Sequence, residues 1–396
     1  MTSDSPDPQP PHGPAVLLAG TRPEALKLIP LLRALPERGV KTVLVDSGQH
    51  PGMVAAALAP FGLAPTEGLA PSRGSGSLAA TVRGLREAVH EAIRRLAPRL
   101  MVVHGDTSTT YAGALAARAA GVPLSHVEAG LRTAHPLRPF PEELFRRRVG
   151  SLADLHFAPT TEATANLRRE GITGRCVETV GNTIIDVLRE TLGRPAPHAL
   201  RELVPPRAPL VVVTFHRREN VGRRLDPLCL AVLELLRSRP DLHVLCPQHP
   251  NPAVRARLQR RFAGHPRITL TDPLPYPVFV HALARAALVV TDSGGIQEEA
   301  PYLGVPVLVA RENTERPEAL TTGTTRLVAA DPQLVLDAAH ELLAAPRPRA
   351  QAFDRTAPFG DGRAGERIAR RLAHFIRSRP RTSGPGQPNP AREATA

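Results

Sequence analysis

The sequence predicts an α/β protein made of two doubly wound parallel sheets that face each other across a cleft. Three observations carry this. Short apolar runs alternate with amphipathic stretches, the strand–turn–helix rhythm of parallel sheets. Nearly every run ends in a polar cluster just before the next amphipathic stretch begins. A Pro-rich interval, "LGRPAPHALRELVPPRAPL" (192–210), then interrupts the rhythm once before it restarts.

In the first half, "AVLLAG" (15–20) reads as a buried strand. "PEALKLIPLLRALPERG" follows as a helix, with Pro23 suited to its first turn and Leu28, Leu32 and Leu35 on one face. "KTVLVDSG" (41–48) is the next strand. "RLMVVHGDT" (99–107) ends a strand in a polar turn ahead of the Ala-rich helix "TYAGALAARAAG", and "VPLSHVEAG" (122–130) repeats the form. After the Pro-rich interval come "LVVVTFHRREN" (210–220), "LHVLCPQHPNP" (242–252), "RITLTDPL" (267–274), "ALVVTDSGG" (287–295) and "VPVLVA" (305–310). The architecture occurs twice without a sequence repeat. In open parallel sheets the carboxyl ends of the strands form the ligand edge, so two such edges define the cleft.

A chain of 396 residues suits two domains of about 180 residues each. The expected division is a disordered leader (1–14), a first domain (15–191), a second domain (192–361), a helix (362–377) and a disordered Pro/Gly/Ser-rich tail (378–396). The leader has neither a basic segment nor an apolar core, so it does not read as a signal peptide. No apolar run approaches the roughly 20 residues of a membrane span. Cys176, Cys229 and Cys246 lack paired spacing and read as reduced thiols of a cytoplasmic protein.

The net charge of +13 raises the question of nucleic acid, but its distribution answers no. Lys27 and Lys41 are the two lysines beside 48 arginines. The arginines are scattered among acids, with no stripe interleaved with aromatics. A coding bias toward Arg and Ala accounts for the charge, and it singles out Lys27 as a lysine kept where arginine was available.

The polar clusters carry the chemistry. "GTRPEALK" (20–27) sets a tight turn, a helix N-terminus, Arg22 and Lys27 together, which suits a diphosphate as well as it suits a capped surface turn. It is neither a Walker loop nor a G-x-G-x-x-G dinucleotide turn. "HGDT", "HVEAGLRT" and "FPEE" place Asp106, Glu128, Glu142 and Glu143 on the same edge, where clustered carboxylates raise each other's pKa and suit general acid/base work. A Mg²⁺ site is the rival reading, and no phosphate-bridging context supports it. "TFHRREN" puts His216 at a strand end of the second half. In "DSGG" (292–295), Ser293, Gly294 and Gly295 present a hydroxyl and backbone N–H groups to a phosphate. One turn on, Glu298 and Glu299 suit ribose hydroxyls, and Arg316 can reach the phosphates or a neighbouring carboxylate. The ligand that needs all of these is a nucleoside diphosphate carrying a sugar.

In their order and spacing these motifs resemble the non-hydrolysing UDP-N-acetylglucosamine 2-epimerases. The resemblance runs from about residue 16 to 320 through "GTRPEALK", "SGQH", "VHGDTSTTYAGALAA", "HVEAGLRT", "PFPEE", "VGNTIIDVL", "FHRREN", "HPNP" and "TDSGGIQEEAPYLGVPVLV" with "TERPEA". It implies Rossmann-like domains of the glycosyltransferase-B type with a UDP-sugar between them, and a carboxyl-terminal helix crossing back to the first domain. It also implies a homodimer, no cofactor, and reversible C2 epimerisation through elimination and re-addition of UDP. Arg22, Lys27, His216, Ser293, Gly294, Gly295, Glu299 and Arg316 match nucleotide-binding positions of the family. Phe279 matches a uracil-lining position and Leu274 a backbone contact to the base. Asp106, Glu128 and Glu142 match the acids implicated in catalysis, with His216, Arg22 and Lys27 stabilising the departing UDP. Gln49, His50 and His249 match a second, regulatory UDP-GlcNAc site, where Gly52 replaces a longer polar residue.

The chain departs from the family pattern at Phe145, where Asn is usual, and at Phe215, where a small residue is usual. These departures keep open a modified sugar substrate and a catalytically silent nucleotide-sugar sensor. A glycosyltransferase of the same fold, or an epimerase that hydrolyses its substrate, are the further alternatives.

Overall fold

The computed structural model describes residues 13–72, 76–133, 135, 139–215, 225–329, 331–354 and 356–378. Residues 1–12 and 379–396, expected above to be disordered, and His216 lie outside these. The first sheet comprises β1 (Ala15–Ala19), β2 (Thr42–Asp46), β3 (Glu67–Gly68), β4 (Leu100–His104), β5 (Leu124–Val127), β6 (Leu155–Ala158) and β7 (Val177–Thr179). The second comprises β8 (Leu210–Thr214), β9 (His243–Pro247), β10 (Ile268–Thr271), β11 (Ala286–Thr291), β12 (Val307–Val309) and β13 (Thr325–Leu327). All pairings are parallel, in the orders β3-β2-β1-β4-β5-β6-β7 and β10-β9-β8-β11-β12-β13.

Each order reverses once, between β1 and β4 and between β8 and β11. At such a switch point adjacent connections leave toward opposite faces of the sheet and open a crevice at the strand ends. Gly20, Thr21 and Arg22 follow β1, and Gly105, Asp106 and Thr107 follow β4. Asp292, Ser293 and Gly294 follow β11. The polar clusters therefore stand at both crevices.

Strand interiors are fully buried at Leu17, Val102, Val212 and Val289, as expected of parallel strands covered on both faces. Helices begin where the sequence supplies caps. Thr107 Oγ1 accepts from Thr110 N at 3.1 Å, and Asn182 Oδ1 accepts from Ile184 N at 3.1 Å. One continuous apolar core includes Leu17 of the first sheet, Ile185 and Leu188 of the Thr183–Leu192 helix, and Val289 and Ala300 of the second half.

The last helix, Ala364–Ser378, buries Ile368, Ala369, Leu372 and Ala373 and packs on the Arg22–Ala34 and Thr183–Leu192 helices of the first half. Its start is held by Asp186, which accepts from Ala364 N at 3.1 Å and Gly365 N at 2.8 Å. A side chain at Gly365 would meet Pro30 at 2.2 Å, so the two helices touch only because that position is glycine. Among the described residues no helix is long and apolar enough to cross a membrane.

Candidate active site

The turn after β1 is closed by a residue that the sequence reading did not single out. Glu24 is buried and accepts from Gly20 N (2.9 Å), Thr21 Oγ1 (2.9 Å), Thr107 Oγ1 (2.5 Å) and Thr110 Oγ1 (2.9 Å). It thus joins the β1 turn to the β4 turn. Gly20 has to be glycine, because a Cβ there would fall 2.1 Å from Thr109 Oγ1.

Lys27, on the helix that starts at Arg22, is almost fully buried and lies between two carboxylates. Its Nζ contacts Glu128 Oε2 and stands 2.9 Å from Glu298 Oε2. Glu298 Oε1 is in turn 2.5 Å from Arg316 Nε, and Arg316 Nη1 contacts Glu315. The cluster spans the interdomain boundary, since Lys27 and Glu128 come from the first half and Glu298, Glu315 and Arg316 from the second.

Burial works against charge at Lys27 and Glu128, and proximity overrides it. Burial pushes the Lys27 ammonium down, but Glu128 and Glu298 hold it above its ordinary value. Burial pushes Glu128 up, but Lys27 and Arg316 hold it below the usual carboxylate range. The expectation that clustered acids raise each other's pKa is thus corrected at Glu128, where cations decide the outcome. Glu128 adopts a left-handed φ of +63°, uncommon for a residue with a side chain, and Asn182 Nδ2 also donates to its Oε2 at 3.3 Å.

Asp106 lies further out. Its Oδ2 is 2.5 Å from Arg146 Nη2, and Arg146 Nη1 donates to the buried Glu143 at 3.1 Å. Glu142 is half-buried, and its Oε2 has no hydrogen-bond partner among the described residues. Phe145 is buried and stacks on Tyr111 with ring centroids 4.7 Å apart, and Phe215 is likewise buried. Both departures from the family pattern therefore pack into the interior.

On the second half, Ser293 stands at the N-terminus of the Gly294–Leu303 helix with its hydroxyl not used as a cap. Gly294 lies so close to Arg316 that a Cβ would meet Nη1 at 2.6 Å, while the space beside Gly295 is open to 4 Å. Glu299 accepts from Tyr276 Oη at 2.6 Å, and burial pushes its carboxyl up to about 7. Glu298, grouped with Glu299 as a ribose acceptor in the sequence reading, is instead a partner of Lys27 and Arg316. Arg22 reaches across the boundary, where Nη2 donates to the Leu274 carbonyl at 2.7 Å. Phe279 is half-buried one turn into the Tyr276–Arg285 helix.

Away from this cluster, Gln49 Oε1 accepts from Thr109 N at 3.1 Å and Oγ1 at 2.7 Å, and its Nε2 is 3.3 Å from His50 Nε2. Gln49 and Gly52 line a cavity of about 600 Å³, and His249 Nδ1 accepts from Asn251 N at 3.1 Å. The sequence reading missed Glu24, Arg146, Asn182, Tyr276 and Glu315 as site residues. A signal existed for all five, since Glu24, Asn182, Arg146 and Glu315 lie inside or beside the quoted motifs and Tyr276 opens the run "YPVF" that holds Phe279.

Two Rossmann-like parallel sheets, with cations, a helix N-terminus and acids at their switch points, place the chain in the glycosyltransferase-B fold class. The family model described as UDP-N-acetylglucosamine 2-epimerase matches residues 33–373. A probable UDP-N-acetylglucosamine 2-epimerase of Ralstonia nicotianae is 40% identical over 373 residues, covering 91% of this chain and 99% of the relative. The chain belongs to the UDP-N-acetylglucosamine 2-epimerase family. The crystal structure of the Neisseria meningitidis UDP-GlcNAc 2-epimerase, bound to UDP-GlcNAc, superposes with a TM-score of 0.85 at 32% identity, covering 91% of this chain and 99% of that one. The glycosyltransferase SnogD of Streptomyces nogalater shares the fold alone, with a TM-score of 0.50 at 16% identity, covering 92% of this chain and 100% of that one.

Proposed function

We propose that this protein interconverts UDP-GlcNAc and UDP-ManNAc at the interdomain cleft. The observation that carries the reading is the cluster of Lys27, Glu128, Glu298 and Arg316, which brings phosphate-binding cations and a candidate proton-transfer acid into contact from both halves. Family membership supplies the substrate class.

In the elimination step a protein base takes the C2 proton. The C2–H electron pair forms the C1=C2 bond, and the C1–O bond breaks with its pair leaving on UDP. The product is 2-acetamidoglucal. Re-addition reverses these events, with the proton delivered to the opposite face of C2 and a UDP oxygen attacking C1. Asp106, Glu128 and Glu142 are the proton-transfer candidates. Arg22, Lys27, His216 and Arg316, with the hydroxyl of Ser293 and the backbone at Gly294 and Gly295, stabilise charge on the diphosphate. Glu299 takes ribose hydroxyls, and Phe279 and the Leu274 backbone hold uracil. The enzyme works as a cytoplasmic homodimer, its chain divided near residues 191 and 361. Its subunit count is read by light scattering.

Incubation with UDP-GlcNAc in D₂O tests the reaction. Epimerisation gives UDP-ManNAc with deuterium at C2. Free sugar with UDP would mean hydrolysis, and unchanged substrate would mean transfer or sensing.

A further inference from the structure

His104 is a buried group that the reaction described above does not use. It ends β4, and the register pairs it with Val127, the residue before Glu128 on β5. It is 2% exposed, and neither of its ring nitrogens has a hydrogen-bond partner among the described residues. Buried polar groups are seldom left in this state, because an unpaired one has lost its water without gaining a partner. Nε2 stands 3.9 Å from Glu128 Oε2, beyond hydrogen-bond reach by about 1 Å. That oxygen already receives Lys27 and Asn182.

The arrangement has to change if Lys27 binds phosphate. Its Nζ is held by Glu128 and Glu298, so a diphosphate oxygen must replace at least one of them. Glu298 keeps Arg316 at 2.5 Å if Lys27 turns away. Among the described residues, Glu128 then keeps the 3.3 Å bond from Asn182, on a backbone held at φ +63°. The imidazole of His104 faces the same oxygen.

We propose that His104 is a positioning residue for Glu128, taking over the carboxylate oxygen that Lys27 releases when Lys27 turns to the diphosphate of the substrate. The exchange keeps the carboxylate aimed while removing the nearest of the cations that suppress its basicity. Burial and Lys27 both hold the His104 pKa well below its ordinary value, so the ring is neutral and offers one N–H without adding a second charge. The proposal rests on the epimerase reading, in which Lys27 binds phosphate and Glu128 is a proton-transfer candidate.

His104→Leu removes an unpaired polar group of similar volume, so the variant should be at least as stable as the parent. It should still lose about 10²-fold in kcat, the scale expected when a reacting group is misplaced by about 1 Å. UDP affinity by calorimetry should stay within about threefold. His104→Gln, whose amide N–H can occupy the Nε2 position, should recover at least tenfold over the leucine variant. A leucine variant with the parent's kcat overturns the proposal, as does a glutamine variant no faster than leucine. A crystal structure of the parent with UDP gives a readout free of turnover. His104 Nε2 within about 3.2 Å of Glu128 supports the exchange, and a gap that stays beyond 3.5 Å overturns it. A parent that binds UDP yet forms no UDP-ManNAc would sink the epimerase reading, while that distance would still decide the role of His104.

Discussion

Glu298 and Glu299 are neighbours on one helix, equally buried, and the protein treats them differently. Glu298 sits between two cations, 2.9 Å from Lys27 and 2.5 Å from Arg316. Glu299 has the Tyr276 hydroxyl at 2.6 Å, and its carboxyl is pushed up to about 7. Burial pushes any carboxylate toward the neutral acid, and a cation in contact reverses the push. The pair therefore separates two kinds of polar site. One is an ion cluster held together by mutual compensation. The other is a near-neutral acceptor, suited to hydroxyls.

The largest effect comes from breaking the compensation. Lys27→Met leaves Glu128 without its nearest cation, in a largely buried site. Uncompensated buried charges of this kind cost about 3–5 kcal/mol. Urea unfolding should show a loss of that size, and epimerisation should fall with it. A variant as stable as the parent would mean that the cluster opens to water and that Lys27 is not compensating Glu128.

Asp106 tests whether every ion pair at the cleft is of this kind. It is paired with Arg146, but its side chain is 25% exposed, and Arg146 keeps Glu143 at 3.1 Å if Asp106 changes. Asp106→Asn should therefore cost little stability. If Asp106 moves a proton, kcat should fall by about 10²–10⁴ while UDP affinity stays within a few fold. Arg316→Ala should do the reverse and weaken UDP binding, because it removes a charge made available in the ground state. Calorimetry and an epimerisation assay on both variants separate the roles. If Asp106→Asn loses UDP binding in parallel with activity, Asp106 belongs with the binding cluster.

The sequence disclosed much of this arrangement, for physical reasons. Interior strands such as β1, β4, β8 and β11 are apolar up to their last residue because both faces are covered, so they stand out as runs. Of the edge strands, β3, β7 and β13 have two or three residues and no such run, and the internal β6 is broken by a buried His156. Lys27 was conspicuous in a chain that otherwise uses arginine. Glu128 and Asp106 were conspicuous because each follows a strand directly. Pairing was not legible. Nothing local says that Lys27 meets Glu298, that Arg22 reaches the Leu274 carbonyl, or that Tyr276 faces Glu299, because those contacts exist only once the two sheets are docked. Phe145 and Phe215 illustrate the same limit, since their side chains turn into the interior.

The smallest expected effect concerns the contrast between Glu298 and Glu299 itself. The Glu299 carboxyl titrates near 7 in the folded chain and near its ordinary 4.5 when unfolded. Between those values the folded protein holds a proton that the unfolded chain has released. Stability from this group is then fully present below about pH 4.5 and is lost as pH rises through 7. A shift of this size corresponds to about 3 kcal/mol. Urea midpoints of the parent and of Glu299→Gln between pH 5 and 8 should converge or cross, with the parent losing more as pH rises. Asp186, raised to about 6, is present in both proteins and cancels from the difference. Tyr276→Phe sharpens the test, because the Tyr276 hydroxyl favours the ionised form and its loss should move the transition to still higher pH. Parallel curves for the parent and Glu299→Gln would mean that Glu299 is ionised in the folded protein. Arg22 would then be acting as its cation, and the two glutamates would be alike after all.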